Sequence, residues 1–138
     1  MATDNWFASL ESKIFTIMKT RIVRNLRSKY PDIFCTSSGR TDSDPVFPTV
    51  YIHELPGMEQ GMDIENSGIN AVLETIQVDV TTNQSMKDCT HVMTEVITQL
   101  KLLHFNVSAL PTYLVENENI YRGIVRARRL IGSDDTLN

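Results

Sequence analysis

Two hydrophobic periods meet in the middle of the chain. From Ile69 to Thr82 the apolar residues Val72, Ile76, Val78 and Val80 take even numbers, and Thr75, Gln77, Asp79 and Thr81 take odd ones. A period of two buries one face of a strand and leaves the other wet, and the β-branched content suits a strand. From Cys89 to Leu103 the period changes. Cys89, Val92, Met93, Val96, Ile97, Leu100 and Leu103 recur at steps of three and four, the stripe of an amphipathic helix. A polar turn, residues 82–85, joins the two. Within it Ser85 with Asp88 resembles a capping box, Asp standing where Glu or Gln is usual. The pattern predicts a one-sided strand followed at once by a helix over residues 85–104 that can cover it.

The rest of the chain adds to that pair. Phe7, Leu10, Ile14, Met18, Ile22 and Leu26 form a drifting helical stripe; Thr3 or Asp4 can cap it and Pro31 stops it, which predicts a helix over residues 5–30. At about 1.5 Å per residue such a helix is roughly 39 Å long, so one end projects beyond so small a core or the helix breaks. Residues 31–48 read as a loop holding a short strand at 33–36, and Val50 to His53 as a strand entered through Pro48. Pro56 to Gly68 carries Glu59, Asp63 and Glu65, three glycines and no apolar period; it reads as a long mobile connection between antiparallel strands. Phe105 to Val115 is a strand made irregular by Pro111, residues 116–119 are a turn, and Ile120 to Ile131 is the returning strand. On that last strand Tyr121, Val125, Ala127 and Ile131 face one way, and Arg122, Arg126 and Arg128 the other. Residues 132–138 read as a frayed tail. The expected fold is one α+β domain over residues 1–138. It has an antiparallel β-sheet over residues 48–131, with a long N-terminal helix and a second amphipathic helix packed on one face.

Composition agrees with a globular chain: 138 residues, 41% hydrophobic, 22% charged. No basic start with an apolar run marks a signal peptide, and no stretch approaches a membrane span, so no membrane partner is expected. Two cysteines, Cys35 and Cys89, point to a reducing compartment. Charge is more telling than its net value of −4. Residues 13–29 hold six basic side chains, Arg21 and Arg24 among them, and no acidic one. Residues 41–100 hold ten acidic side chains against Lys87 alone, and Arg122, Arg126, Arg128 and Arg129 follow. Segregated charge of this kind is either a set of solvated faces or the basis of head-to-tail self-association. Nucleic-acid binding by the Arg strand is a third reading, disfavoured by the net negative charge and the lack of stacking aromatics among those arginines. Exchange of Arg122, Arg126 and Arg128 together for Glu is expected to weaken assembly and leave the fold intact.

Candidate chemistry is sparse. Cys89 and His91, two apart on a helix, share no face. His53 and Glu54 point oppositely on a strand, and His104 suits the negative end of a helix dipole. Glu59, Asp63 and Glu65 lack the spacing of an EF-hand loop. No phosphate loop, nucleophile elbow or paired-Cys site is present. The expectation is a protein that is not an enzyme, with no catalytic residue, metal or cofactor.

The layout resembles a known family. Its parts are a basic N-terminal helix, the strand Phe47 to His53, an acidic Gly-bearing loop and the stretch Ile76 to Asn83. An amphipathic helix ending at Leu102 to Phe105 and the arginine-rich Tyr121 to Arg129 complete it. Over residues 47–131 this looks like the tail terminator (tail completion) proteins of long-tailed bacteriophages. The resemblance implies an α+β subunit that assembles as a ring, usually a hexamer, on the completed tail tube. The ring stops polymerisation and offers a docking surface to the head-tail connector protein. Its partners would be further copies of itself, the tail tube protein and the connector, with DNA crossing the lumen without specific binding. It would be found in the virion, at the neck, and in the host cytoplasm during assembly. On this view Arg122, Arg126, Arg128, Arg21 and Arg24 meet a neighbouring subunit or the tube, and Glu59, Asp63 and Glu65 lie at the lumen or ring surface. A connector stopper or other neck protein is the nearest alternative. A small α+β enzyme or nucleic-acid-binding module with an illegible site is the second.

Overall fold

The computed structural model describes residues 9–37, 47–62, 69–117, 119–132 and 137. Seven elements follow in the order α1 (Leu10–Leu26), β1 (Phe34–Thr36), β2 (Thr49–Met62), β3 (Ile69–Thr82), α2 (Met86–Leu102), β4 (Asn106–Asn117) and β5 (Ile120–Gly132). The strands make a five-stranded sheet in the order β1-β2-β3-β5-β4. All pairings are antiparallel except that of the three-residue edge strand β1 with β2. β5 lies between β3 and β4, which are therefore parallel, so β3, α2 and β4 form a split crossover. The α+β architecture is as expected, with one parallel edge added.

Both helices cover the same face. Leu10, Ile14, Met18, Ile22 and Leu26 of α1 and Val92, Met93, Val96 and Leu100 of α2 share one core with Ile76, Val78 and Val80 of β3 and Val125, Ala127 and Ile131 of β5. The even residues of β3 thus pack inward, as the period of two requires. Ser85 caps α2 by accepting the Asp88 amide at 3.1 Å on its side chain. At the other end Phe105 N donates to Leu100 O and His104 takes a positive φ of 65°, the left-handed turn that closes many helices.

Three boundaries differ from the sequence reading. α1 ends at Leu26, not at residue 30; its 17 residues span about 26 Å. The chain leaves the helix before Pro31 so that Tyr30, 8% exposed, can turn into the core and bond to α2. Residues 5–8 lie outside the described ones. The described part of the expected mobile connection, residues 56–62, is strand: β2 continues to Met62, pairing Met58 with Leu73, Glu59 with Val72, and Met62 with Ile69, past a bulge between Leu55 and Met58. Glu59 is therefore a strand residue, while Asp63 and Glu65 lie outside the described residues. Pairing to the regular β3 imposes this conformation on a segment whose own sequence lacks a strand period. Finally, the expected frayed tail is anchored in part. Gly132 pairs with Ala71, and Leu137, 4% exposed, joins the core.

Both long edges are blunted. Register shifts fall at residues 55–58 of β2 and 109–112 of β4, where Pro56 and Pro111 sit. Bulges and prolines on edge strands discourage pairing with another chain.

Candidate interaction face

With both helices on one side, the opposite side of the sheet carries no layer of its own among the described residues. The register orders its side chains in rows across the strands. One row runs Phe34, Thr49, Thr81, Arg122, Leu114; the next Tyr51, Asp79, Ile124, Thr112. His53, Gln77 and Arg126 follow, then Leu55, Thr75, Arg128 and Asn106, and finally Leu73 with Leu130. Neighbours in a row face the same way and lie within side-chain reach.

Asp79 is the hub. It is 3% exposed although neither α1 nor α2 covers it, and the side chains of Arg122, Gln77 and His53 gather around its carboxylate. Arg122 Nη2 pairs with its Oδ2. Gln77 Nε2 donates to Oδ1 at 3.0 Å, and His53 Nε2 stands 3.6 Å from Oδ1. Arg126 Nε donates to Gln77 Oε1 at 2.8 Å, extending the chain of contacts by one link. Tyr51 stacks flat on His53, centroids 4.0 Å apart and planes 9° off parallel. A carboxylate so enclosed is kept by its partners, since burying a charge without them costs several kcal/mol.

Around this fixed centre lie freer groups. Arg128 is exposed and no hydrogen bond holds it among the described residues. Phe34, Leu114 and Leu130 are 47, 37 and 56% exposed at the flanks of the face. The face therefore offers a held polar centre, protruding guanidinium groups and an apolar fringe. It can dock a surface.

The structure brings Arg122, Arg126 and Arg128 together as the alternation requires. It does not add Arg21 and Arg24, which belong to α1 on the other side of the sheet. Arg129, whose parity puts it on the helix side, donates Nη1 to Leu103 O at 2.7 Å and so braces the end of α2. The sequence charge blocks are also less separate than they look: β3 comes from the acidic segment and β5 from the basic one, and pairing them sets Asp79 against Arg122. Arg122 is thus held in place within the subunit, so reversing it together with Arg126 and Arg128 would also remove an internal contact of the fold.

A second polar group was missed by sequence reasoning, which compared His91 only with Cys89. Tyr30 Oη donates to Asp88 Oδ1 at 2.9 Å and lies 3.2 Å from His91 Nδ1, while Ser85 Oγ donates to Asp88 Oδ2 at 3.1 Å. Burial, then the Asp88 hydrogen bond and charge, push the Tyr30 phenol up to about 12, so it stays protonated and acts as a brace between α1 and α2. A cavity of about 300 Å³ adjoins it, lined in part by Asp32, Phe47, Pro48 and Gln84. Tyr30 and Asp88 are 58 positions apart, and no local pattern joins them.

No helix among the described residues is long and apolar enough to cross a membrane, and none of their His, Cys, Asp and Glu side chains form a group of three placed to hold a metal ion. No protein-family model matches the chain, and no curated protein matches it either.

Proposed function

We propose that the chain is a structural subunit, not an enzyme, that associates with copies of itself through its bare sheet face into a ring capping the tube of a phage tail. The single observation that carries the association is this face: five strands with both described helices on one side, and on the other a fixed polar network with exposed Arg126, Arg128, Leu114 and Leu130. The blunted edges of β2 and β4 support it from the other direction, because they disfavour joining copies by strand addition.

The charge of the face favours a ring over a two-fold dimer. Packing this surface on itself would oppose like guanidinium groups, which is unfavourable. A contact with a different surface of the next copy avoids that, and such heterologous contacts close into rings or continue as filaments. The size fits as well. The four long strands, each about 4.8 Å wide and followed for about eight residue steps of 3.4 Å, give a patch of ~500 Å² in projection, the larger part of the ~800 Å² per partner of a standard interface.

The tail position rests on the resemblance of residues 47–131 to tail terminator proteins. On this reading the remaining partners are the tail tube protein and the head-tail connector, DNA passes through the lumen, and the protein resides in the virion neck. The test is growth of tubes from purified tail tube protein with this chain added. The expected outcome is arrest of elongation with the chain at one tube end. Tubes that lengthen unchanged, with no chain bound, would overturn the tail assignment.

A further inference from the structure

A different part of the molecule carries a second feature, independent of the ring reading. Three carboxyl groups meet where the first turn of α1 lies on the β2–β3 ladder: Glu11 of α1, Glu54 of β2 and Glu74 of β3. Glu11 accepts the backbone N–H of Glu54 on Oε2 at 3.2 Å, which ties the start of the helix to the strand. Glu74 is turned toward the helices, is 1% exposed, and its Oε2 has no hydrogen-bond partner among the described residues. It sits opposite the β2 bulge, between the pairs Leu55 with Thr75 and Met58 with Leu73. Glu54 pairs with Ile76, so its side chain is the same-face, diagonal neighbour of Glu74 across the ladder.

Two neighbouring carboxyl groups, one of them buried, cannot both be ionised without strong repulsion. Metal ions would be the other remedy, but no three ligating side chains among the described residues are placed to hold one. The groups that face Glu74 are Glu54 from β2 and Glu11 from α1. From β5 comes its cross-strand partner Arg129, which directs Nη1 to Leu103 O at the end of α2. We propose that Glu54 and Glu74 share one proton and that this proton latches the first turn of α1 onto the β2–β3 ladder, so that its loss to solvent frees that turn.

Burial, and then the neighbouring Glu54, with Glu11 adding to them, raise the Glu74 carboxyl to about 9. The sign follows. A carboxyl whose pKa is raised in the closed form gives stability that is complete below the open-form value near 4.5 and is lost as pH rises toward 9. Within that window opening releases one proton, so the opening constant grows about tenfold per pH unit.

Amide exchange of the full chain between pH 6 and pH 8, corrected for intrinsic rates, tests this. The expected result is a rise of about a hundredfold in the opening constant of the first two turns of α1, no such rise in α2, and no pH dependence in Glu74→Gln, which keeps the size and polarity of the side chain without titrating. A flat profile in the wild type, or the same rise in Glu74→Gln, overturns the latch. Should Glu74→Gln not fold, carbon NMR of the wild-type glutamates decides: one carboxyl still protonated at pH 7 supports the proposal, and all of them titrating below pH 6 overturns it.

Discussion

Arg122 on β5 closes onto Asp79 on β3 across a sheet face that neither α1 nor α2 covers, and the carboxylate is left 3% exposed. The two residues are 43 positions apart, and their pairing turns a run of charges into a fixed surface feature. The first prediction concerns this link. Asp79→Asn removes the charge that Arg122, Gln77 and His53 surround, and should lower stability by about 1–3 kcal/mol in urea unfolding. Combined with Arg122→Met the loss should be less than additive. Strict additivity would mean that the pair contributes nothing to the fold.

Gly123 lies opposite Tyr113 in the β4–β5 pairing. A Cβ there would stand 2.9 Å from Tyr113 Cε1 and 3.2 Å from Met93 Cε, so the ring and the methionine occupy the space a side chain needs. Gly123→Ala should therefore destabilise by about 1–3 kcal/mol through overpacking. The check is the thermal midpoint, and an unchanged midpoint would contradict the packing described.

His104 ends α2 in a left-handed conformation and its ring is exposed. Relief of about 1–2 kcal/mol of left-handed strain outweighs the ~0.4–1 kcal/mol that glycine adds to the freedom of the unfolded chain. His104→Gly should thus raise stability modestly, by about 0.5–1 kcal/mol. A loss in chemical denaturation would show that the imidazole contributes more than its geometry suggests.

Cys35 and Cys89 are 3% and 0% exposed, and burial pushes both thiols up to about 11. At pH 8 neither is an effective nucleophile in the folded protein. Iodoacetamide should label both slowly, at a rate that rises with urea as the chain opens. Fast labelling of Cys89 in the native protein would contradict its buried place on the sheet-facing side of α2.

Much of this fold could be read from spacing alone. The even residues of β3 and the three–four steps of α2 each report one local period, and Ser85 marks its helix start within three residues of Asp88. The arginine alternation on β5 likewise located one line of the open face. What the spacing could not hold was anything set by a partner strand or a distant turn. Residues 56–62 extend because β3 is there to pair with them, Tyr30 leaves its helix because Asp88 lies below it, and Leu137 is fixed by the core it meets. The face itself was half legible. Arg122, Arg126 and Arg128 follow from parity, but Asp79, placed on a wet face by the same parity, becomes its enclosed centre only once β3 lies beside β5. Glu74 had the parity of a core residue and was passed over, since periodicity treats a carboxylate at a buried position as an interruption rather than as a site.

The mass of the protein in solution, by sedimentation velocity over a range of concentrations and with tail tube protein present, tests the central claim most directly. The account predicts closed oligomers for the wild type, and monomers with an unaltered fold for Arg126→Glu with Arg128→Glu, where Arg122 is left to hold Asp79. A wild type that stays monomeric under every condition, or oligomers that survive the double reversal, would contradict it.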